Sequence, residues 1–285
     1  MTVQPFDYTV ADFTYLEHAD GPQRLRLFLP VASRPVPLVV DLHGGAWCNG
    51  DLRDCEGRDL TLVRAGLAVA ALNFRHAGQG YPASLVDINF AIRWLKAHAV
   101  KLGLRADAVG LSGQSSGGHL AMLAAMRPAD PCYAAIPSPE GAEVDASVRA
   151  VVMQWPVINP LSRYRNAVRL RDSGNPPPWV GDIPGRHDLY WKNVAAMEEG
   201  NPMLILERGE AAQLPPALWI QGQPDPVHDY RDPEGTSDET EPERFARNYR
   251  RAGGTLDLLY IDNAVRGGAA SNVPTTEFFR RHLVR

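Results

Sequence analysis

Three short stretches hold residue types that could together transfer an acyl group. The first is GQSSG, Gly113 to Gly117, set between the apolar run AVGLS and the helical pattern SGGHLAMLAAM. A G-x-S-x-G string is common by chance. Between a strand and a helix it is specific, because the sharp turn strains the central residue and leaves no room for a side chain two places to either side. Ser115 would then lift its hydroxyl above a sheet at a helix N-terminus, where a serine nucleophile belongs. The second stretch is HGGAW, His43 to Trp47. Adjacent glycines let backbone N–H groups approach a ligand, so Gly44 and Gly45, with the N–H of Ser116, form a candidate oxyanion hole. His43 is expected to brace this loop by hydrogen bonding rather than to react. The third is QGQPDPV, Gln221 to Val227. There Asp225 is either the carboxylate that orients a histidine or an ordinary turn residue beside Pro226.

Positioning these groups requires a sheet, and extended apolar runs recur at 12–19, 24–30, 37–44, 67–74, 108–114, 149–155, 216–222 and 256–262. The first two alternate, as strands with one wet face do, and the later ones are nearly continuous, as strands covered on both faces are. Helical patterns lie between the later runs at 59–66, 85–103, 116–127 and 243–253, with 276–285 closing the chain. In the second of these Leu85, Ile88, Ile92, Leu95 and Ala99 share one face. The alternation predicts an α/β fold: a mostly parallel eight-stranded sheet with helices on both faces, its first hairpin antiparallel, with Ser115 at the turn after the fifth strand. Residues 158–212 break the alternation with SGNPPPWVGDIPGR followed by the amphipathic HDLYWKNVAAMEEG. They read as a small cap inserted after the sixth strand, within one domain spanning 1–285. Residues 223–242, acidic and turn-rich, read as an exposed loop.

With these motifs in this order, the chain resembles α/β-hydrolases of the hormone-sensitive-lipase-like and feruloyl-esterase or kynurenine-formamidase-like group. The resemblance covers essentially the whole chain, through VVDLHGGAW, LNFR, DINFAIRWLKAHA, GLSGQSSGGHLA, ALWIQGQPDPV and FARNYRRAGG. It implies the α/β-hydrolase fold, no cofactor, a triad in the chain order Ser115, Asp225, histidine, and hydrolysis of carboxylic esters or, less often, amides. It also implies where the histidine belongs, in the loop after the last strand and just before a glycine. Here that loop is DNAVRGG, and the position before Gly267 is Arg266. A guanidinium stays protonated and has no acceptor, so Arg266 cannot take the proton of Ser115. If the base is missing, Arg266→His should raise turnover by several orders of magnitude. Arg266 would instead pair with Asp225, and could bind a carboxylate-bearing ligand.

Other histidines are candidates for the vacant role. His228, three residues after Asp225, is the best placed as a relocated base, although its ordinary reading is a solvated side chain in an acidic loop. His119 reads as a packed, hydrogen-bonded residue, and His76 could approach the cleft. His18, His98, His187 and His282 read as structural or surface groups. Two functions follow: a serine hydrolase of a small ester, lactone or amide, impaired or inactivated at its base, or a non-catalytic small-molecule-binding protein on a hydrolase fold. The cap aromatics Trp179, Tyr190 and Trp191, with Trp155 at its entry and Trp47 after the glycine pair, are expected either to wall an apolar cleft or to be the cap's own core. A net charge of −4 gives no reason to expect nucleic acid. Three scattered cysteines, Cys48, Cys55 and Cys132, make neither a disulfide framework nor a metal site and fit a reducing cytoplasm. With no leader-like or membrane-length apolar run, the partner is expected to be a small molecule, with a homodimer left open.

Overall fold

The computed structural model describes residues 4–284. Its eight strands are β1 (Tyr8–His18), β2 (Gly21–Pro30), β3 (Val36–Leu42), β4 (Ala68–Leu72), β5 (Leu104–Gln114), β6 (Ala150–Gln154), β7 (Ala217–Gln223) and β8 (Leu256–Asp262). They form one sheet in the order β1-β2-β4-β3-β5-β6-β7-β8. β2 runs antiparallel to both β1 and β4, and from β4 onward every pairing is parallel. All residues of β3, β4 and β6 are buried, which is why they are written almost wholly in apolar residues. Register then decides the site: Leu42 pairs with Gly113 and Gln114 with Gln154, so the carboxyl ends of β3, β5 and β6 lie side by side. The crevice outside such ends is where ligands bind in open parallel sheets.

The helices are α1 (Glu56–Arg64), α2 (Ala83–Ala97), α3 (Ala99–Leu102), α4 (Ser116–Met126), α5 (Pro160–Asp172), α6 (Ile183–Trp191), α7 (Val194–Glu199), α8 (Pro202–Glu207), α9 (Glu241–Arg251) and α10 (Ala269–Leu283). They cover both faces of the sheet. Leu62 and Val63 of α1 pack with Phe278, Phe279 and Leu283 of α10 on one face. Residues of α2, α4, α8 and α9 join the larger core on the other.

The expected elements differ from these in three places. The helix read over 85–103 stops at Ala97, restarts after His98 and ends at Gly103, whose φ of +68° closes it in the left-handed region that glycine favours. The stretch 187–200 is not one helix: Lys192 has a φ of +65°, and Asn193 accepts from the Ala196 N–H to start α7 afresh. Within 158–212, α5 and α8 were not anticipated. Both begin at an Asn-Pro pair, with Asn159 accepting from Ser162 and Asn201 from Met203 and Leu204. That pair, cap then proline at the first helical position, was a readable start signal.

Candidate active site

The turn between β5 and α4 holds Ser115 at φ 51° and ψ −121°, a strained conformation for a side-chain-bearing residue. Its neighbours show what holds it there. A Cβ on Gly113 would lie 2.3 Å from the Gly117 carbonyl oxygen, and one on Gly117 would lie 2.3 Å from the His43 carbonyl oxygen. Both glycines are therefore required by close backbone approach. The Ser115 N–H donates to the Gln154 carbonyl at 3.0 Å, and its carbonyl accepts from Val157 at 3.1 Å, so the turn is anchored to β6 and the segment after it.

The same packing brings the glycine loop to the serine. A Cβ on Gly44 would meet the Ser115 Cβ at 3.3 Å. The carbonyls of this loop are spoken for locally: that of Gly44 pairs with His43 Nδ1 at 2.8 Å, and that of Gly45 accepts from Cys48 at 3.1 Å and Asn49 at 3.3 Å. As the first residue of α4, Ser116 has an N–H with no intrahelical acceptor. His43 stacks on Phe74 with ring centroids 4.4 Å apart and braces the loop.

Past β7 the chain folds tightly on Asp225. Oδ1 accepts from the Val227 N–H at 3.1 Å, and the Asp225 carbonyl accepts from His228 at 3.2 Å and Asp229 at 2.8 Å. This turn carries residue 228 back over the carboxylate. His228 Nδ1 donates to Asp225 Oδ2 at 2.9 Å, which leaves Nε2 facing Ser115 Oγ at 3.1 Å. The expectation of a solvated His228 in an exposed loop is thus overturned. His228 is 7% exposed and Asp225 3% exposed. Asp225 is both the turn residue and the histidine's partner, so the two readings of it were never exclusive.

Arg266 follows the 3₁₀ turn Asn263–Val265 after β8. It reaches the same carboxylate, its Nη1 lying 3.3 Å from Asp225 Oδ2, while its guanidinium lies over the Trp155 ring at 5.3 Å. Burial raises the Asp225 pKa, but the hydrogen bond from His228 and the charges of His228 and Arg266 outweigh it and hold the carboxyl below the usual carboxylate range. Burial pushes the His228 imidazole below its ordinary value despite the pull of Asp225, and Arg163 and Arg266 add to the depression. At neutral pH the pair is therefore an ionised carboxylate and a neutral imidazole.

A family model described as BD-FAE matches residues 25–234, a span that includes the glycine loop, the Ser115 turn and the Asp225–His228 turn. The chain belongs to the BD-FAE family. Two similar curated proteins are from Mycobacterium tuberculosis. "Probable carboxylic ester hydrolase LipM" is 32% identical over 142 residues, 49% of this chain and 30% of LipM. "Carboxylic ester hydrolase LipN" is 27% identical over 282 residues, 91% of this chain and 67% of LipN. The first curated relatives matched are spanned by this chain over 30%, 30% and 43% of their own lengths. Among solved structures, esterase LipW from Mycobacterium marinum superposes with a TM-score of 0.71 at 23% identity, covering 97% of this chain and 82% of that one. The fold is that of the α/β-hydrolase esterases.

In this BD-FAE chain the expected aromatic cleft is not open. Trp47 and Trp191 are each 1% exposed and Tyr190 is wholly buried, and the three rings pack on one another with centroids 5.0–5.7 Å apart. They are core, joining α6 to the glycine loop. Trp155 is buried beneath Arg266, and Trp179 is half-buried on the stretch before α6. His119 behaves as expected: Trp47 Nε1 donates to its Nδ1 at 3.3 Å, and its Nε2 pairs with the Gly200 carbonyl at 2.8 Å. His18 pairs with buried Asp87 at 2.9 Å, and His187 is fully buried against Trp47. His76 stands edge-on to His43, with ring centroids 5.2 Å apart. Among the described residues no cluster of His, Cys, Asp or Glu could hold a metal ion, and no helix is long and apolar enough to cross a membrane. Sequence reasoning missed Arg163 of α5, which lies against the His228 side of the site.

Proposed function

We propose that this chain is a carboxylic ester hydrolase whose working triad is Ser115, His228 and Asp225, with Arg266 standing where the base of its relatives stands. The observation that carries the reading is the continuous relay from Ser115 Oγ to His228 Nε2 at 3.1 Å and from His228 Nδ1 to Asp225 Oδ2 at 2.9 Å. As Ser115 Oγ attacks the ester carbonyl carbon, its proton passes to His228 Nε2, and the imidazolium then protonates the departing alkoxide. The tetrahedral oxyanion is received by the N–H groups of Gly44, Gly45 and Ser116. Water, deprotonated in turn by His228, releases the acid and restores Ser115. Asp225 fixes the imidazole tautomer and stabilises its cation, and Arg266 adds a second donor to the same carboxylate oxygen. The names of the relatives support a small ester as substrate. Residues 158–212 are taken as the cap over this site.

Two measurements test this in turn. Ser115→Ala should lower kcat on a short aryl acetate by roughly 10⁴- to 10⁶-fold, and retained turnover would place the nucleophile elsewhere. The acid limb of kcat/KM should also sit low. Protonating His228 removes the acceptor for the serine proton, and its folded pKa lies below the ordinary 6.5, so activity should persist below that pH and fall only as the imidazole charges. A midpoint above 6.5 would contradict a buried, depressed His228. Under this reading the base is not missing, and Arg266→His should bring no large gain.

A further inference from the structure

Among the described residues, Arg163 is a buried cation near the site whose presence the proposed triad does not explain. It projects from α5, in the segment between β6 and β7, and is 3% exposed. Its Nε and Nη1 are buried and find no hydrogen-bond partner among the described residues. The cavity that it lines is shared with Pro156, Val157, Val227, His228 and Tyr230, and is too narrow for a water molecule. Two of the three guanidinium nitrogens are therefore left without a partner inside the cavity. Glu241 lines the same cavity, but its carboxylate is taken by Asn159 at 3.4 Å and lies 3.7 Å from Arg244. A buried charge left without a partner costs several kcal/mol, a penalty that a binding site recovers when a ligand brings the counter-charge. Burial also pulls the Arg163 pKa down, the response of a cation short of compensation.

Its location sets which part of a substrate it would meet. Val157 donates to the Ser115 carbonyl, and His228 is the group that protonates the leaving oxygen, so the alcohol portion of an ester must lie on the side of His228. We infer that Arg163 is a specificity-determining residue that pairs with a carboxylate carried on the alcohol portion of the ester, so that the preferred substrates are acyl esters of hydroxy acids. Arg163 offers a planar fork that matches a carboxylate with two parallel hydrogen bonds. Because the cavity itself has no room for a carboxylate, this pairing requires the guanidinium to swing out toward the bound acid about its own side-chain torsions. Arg266, 39% exposed and committed to Asp225 through one nitrogen, adds positive potential on the other side of His228. The inference rests on the serine hydrolase reading, but its test does not depend on turnover alone.

The test compares 3-acetoxybenzoate with 3-acetoxybenzamide, which match in size and differ in charge, in the unaltered protein and in Arg163→Met. The expected result is that KM for the benzoate rises about 10- to 100-fold relative to KM for the benzamide in Arg163→Met, whatever change the two esters share. In parallel, 3-hydroxybenzoate should raise the melting temperature of Ser115→Ala protein and not that of Ser115→Ala/Arg163→Met, a readout that needs no hydrolysis. Without ligand, Arg163→Met should melt no lower than the parent, because the change removes an unpaired buried charge. Equal loss on both esters, an equal thermal shift from chloride, or a clearly lower melting temperature for Arg163→Met would each overturn the assignment. If neither ester is hydrolysed yet 3-hydroxybenzoate still stabilises through Arg163, the hydrolase reading fails and the carboxylate site stands.

Discussion

His228→Ala should lower kcat toward a short aryl ester by roughly 10⁴- to 10⁶-fold, the largest effect expected of any substitution away from the serine itself. The reason is geometric before it is electrostatic. Nε2 of His228 is the imidazole nitrogen that hydrogen-bonds Ser115 Oγ, at 3.1 Å, and the other side chain at Asp225, Arg266, carries a guanidinium that cannot accept a proton. His119 cannot substitute, since both of its ring nitrogens are engaged, with Trp47 and with the Gly200 carbonyl. The variant should still fold, because the Asp225 turn is held by backbone donors and Arg266 continues to neutralise the carboxylate. Retention of more than about a tenth of the activity would show that another group accepts the serine proton.

Gly117→Ala should disable the protein by a different route. The added methyl would stand 2.3 Å from the His43 carbonyl oxygen and 2.4 Å from that of Leu42. Both are backbone atoms at the end of β3, so no side-chain rotation relieves the contact. The loop bearing Gly44 and Gly45 must move away from Ser115, or the α4 turn must open. Overpacking against backbone should cost at least about 3 kcal/mol, a fall in melting temperature of roughly 6–12 °C for a domain of this size. In whatever fraction remains folded, kcat should drop by about 10²- to 10³-fold as the oxyanion donors shift. A variant with unchanged melting temperature and rate would mean that the close approach of α4 to the glycine loop is not required.

Much of this was legible before any coordinates. Central strands buried on both faces need long apolar runs, and β3, β4, β5, β6 and β7 are written that way, so their number and order could be read directly. The glycines of GQSSG and Gly45 of HGG were readable because backbone approach admits no other residue there. What escaped reading was set by tertiary contact. Polar composition argued that 223–242 is solvated, yet one aspartate-centred turn buries His228 while most of the residues after it stay at the surface. The aromatics Trp47, Tyr190 and Trp191 have the same composition whether they line a cleft or fill a core, and only their mutual packing distinguishes the two. Arg163 sits on a helix whose sequence is mostly polar, and nothing in the pattern PLSRYRNAVRLRD marks which arginine is buried.

Arg266 and His228 are best understood together. Asp225 Oδ2 receives both, at 3.3 Å and 2.9 Å, so the carboxylate has one donor from its own turn and one from the loop after β8. If this pairing makes Ser115 nucleophilic, it is read out by the rate at which a fluorophosphonate modifies Ser115, followed by mass spectrometry of the Ser115 peptide. Labelling at Ser115 should be rapid and stoichiometric in the unaltered chain and in Arg266→His, and at least about 10³-fold slower in His228→Ala. Labelling that proceeds as fast without His228, or that becomes rapid only when histidine is placed at position 266, would contradict activation of Ser115 through His228.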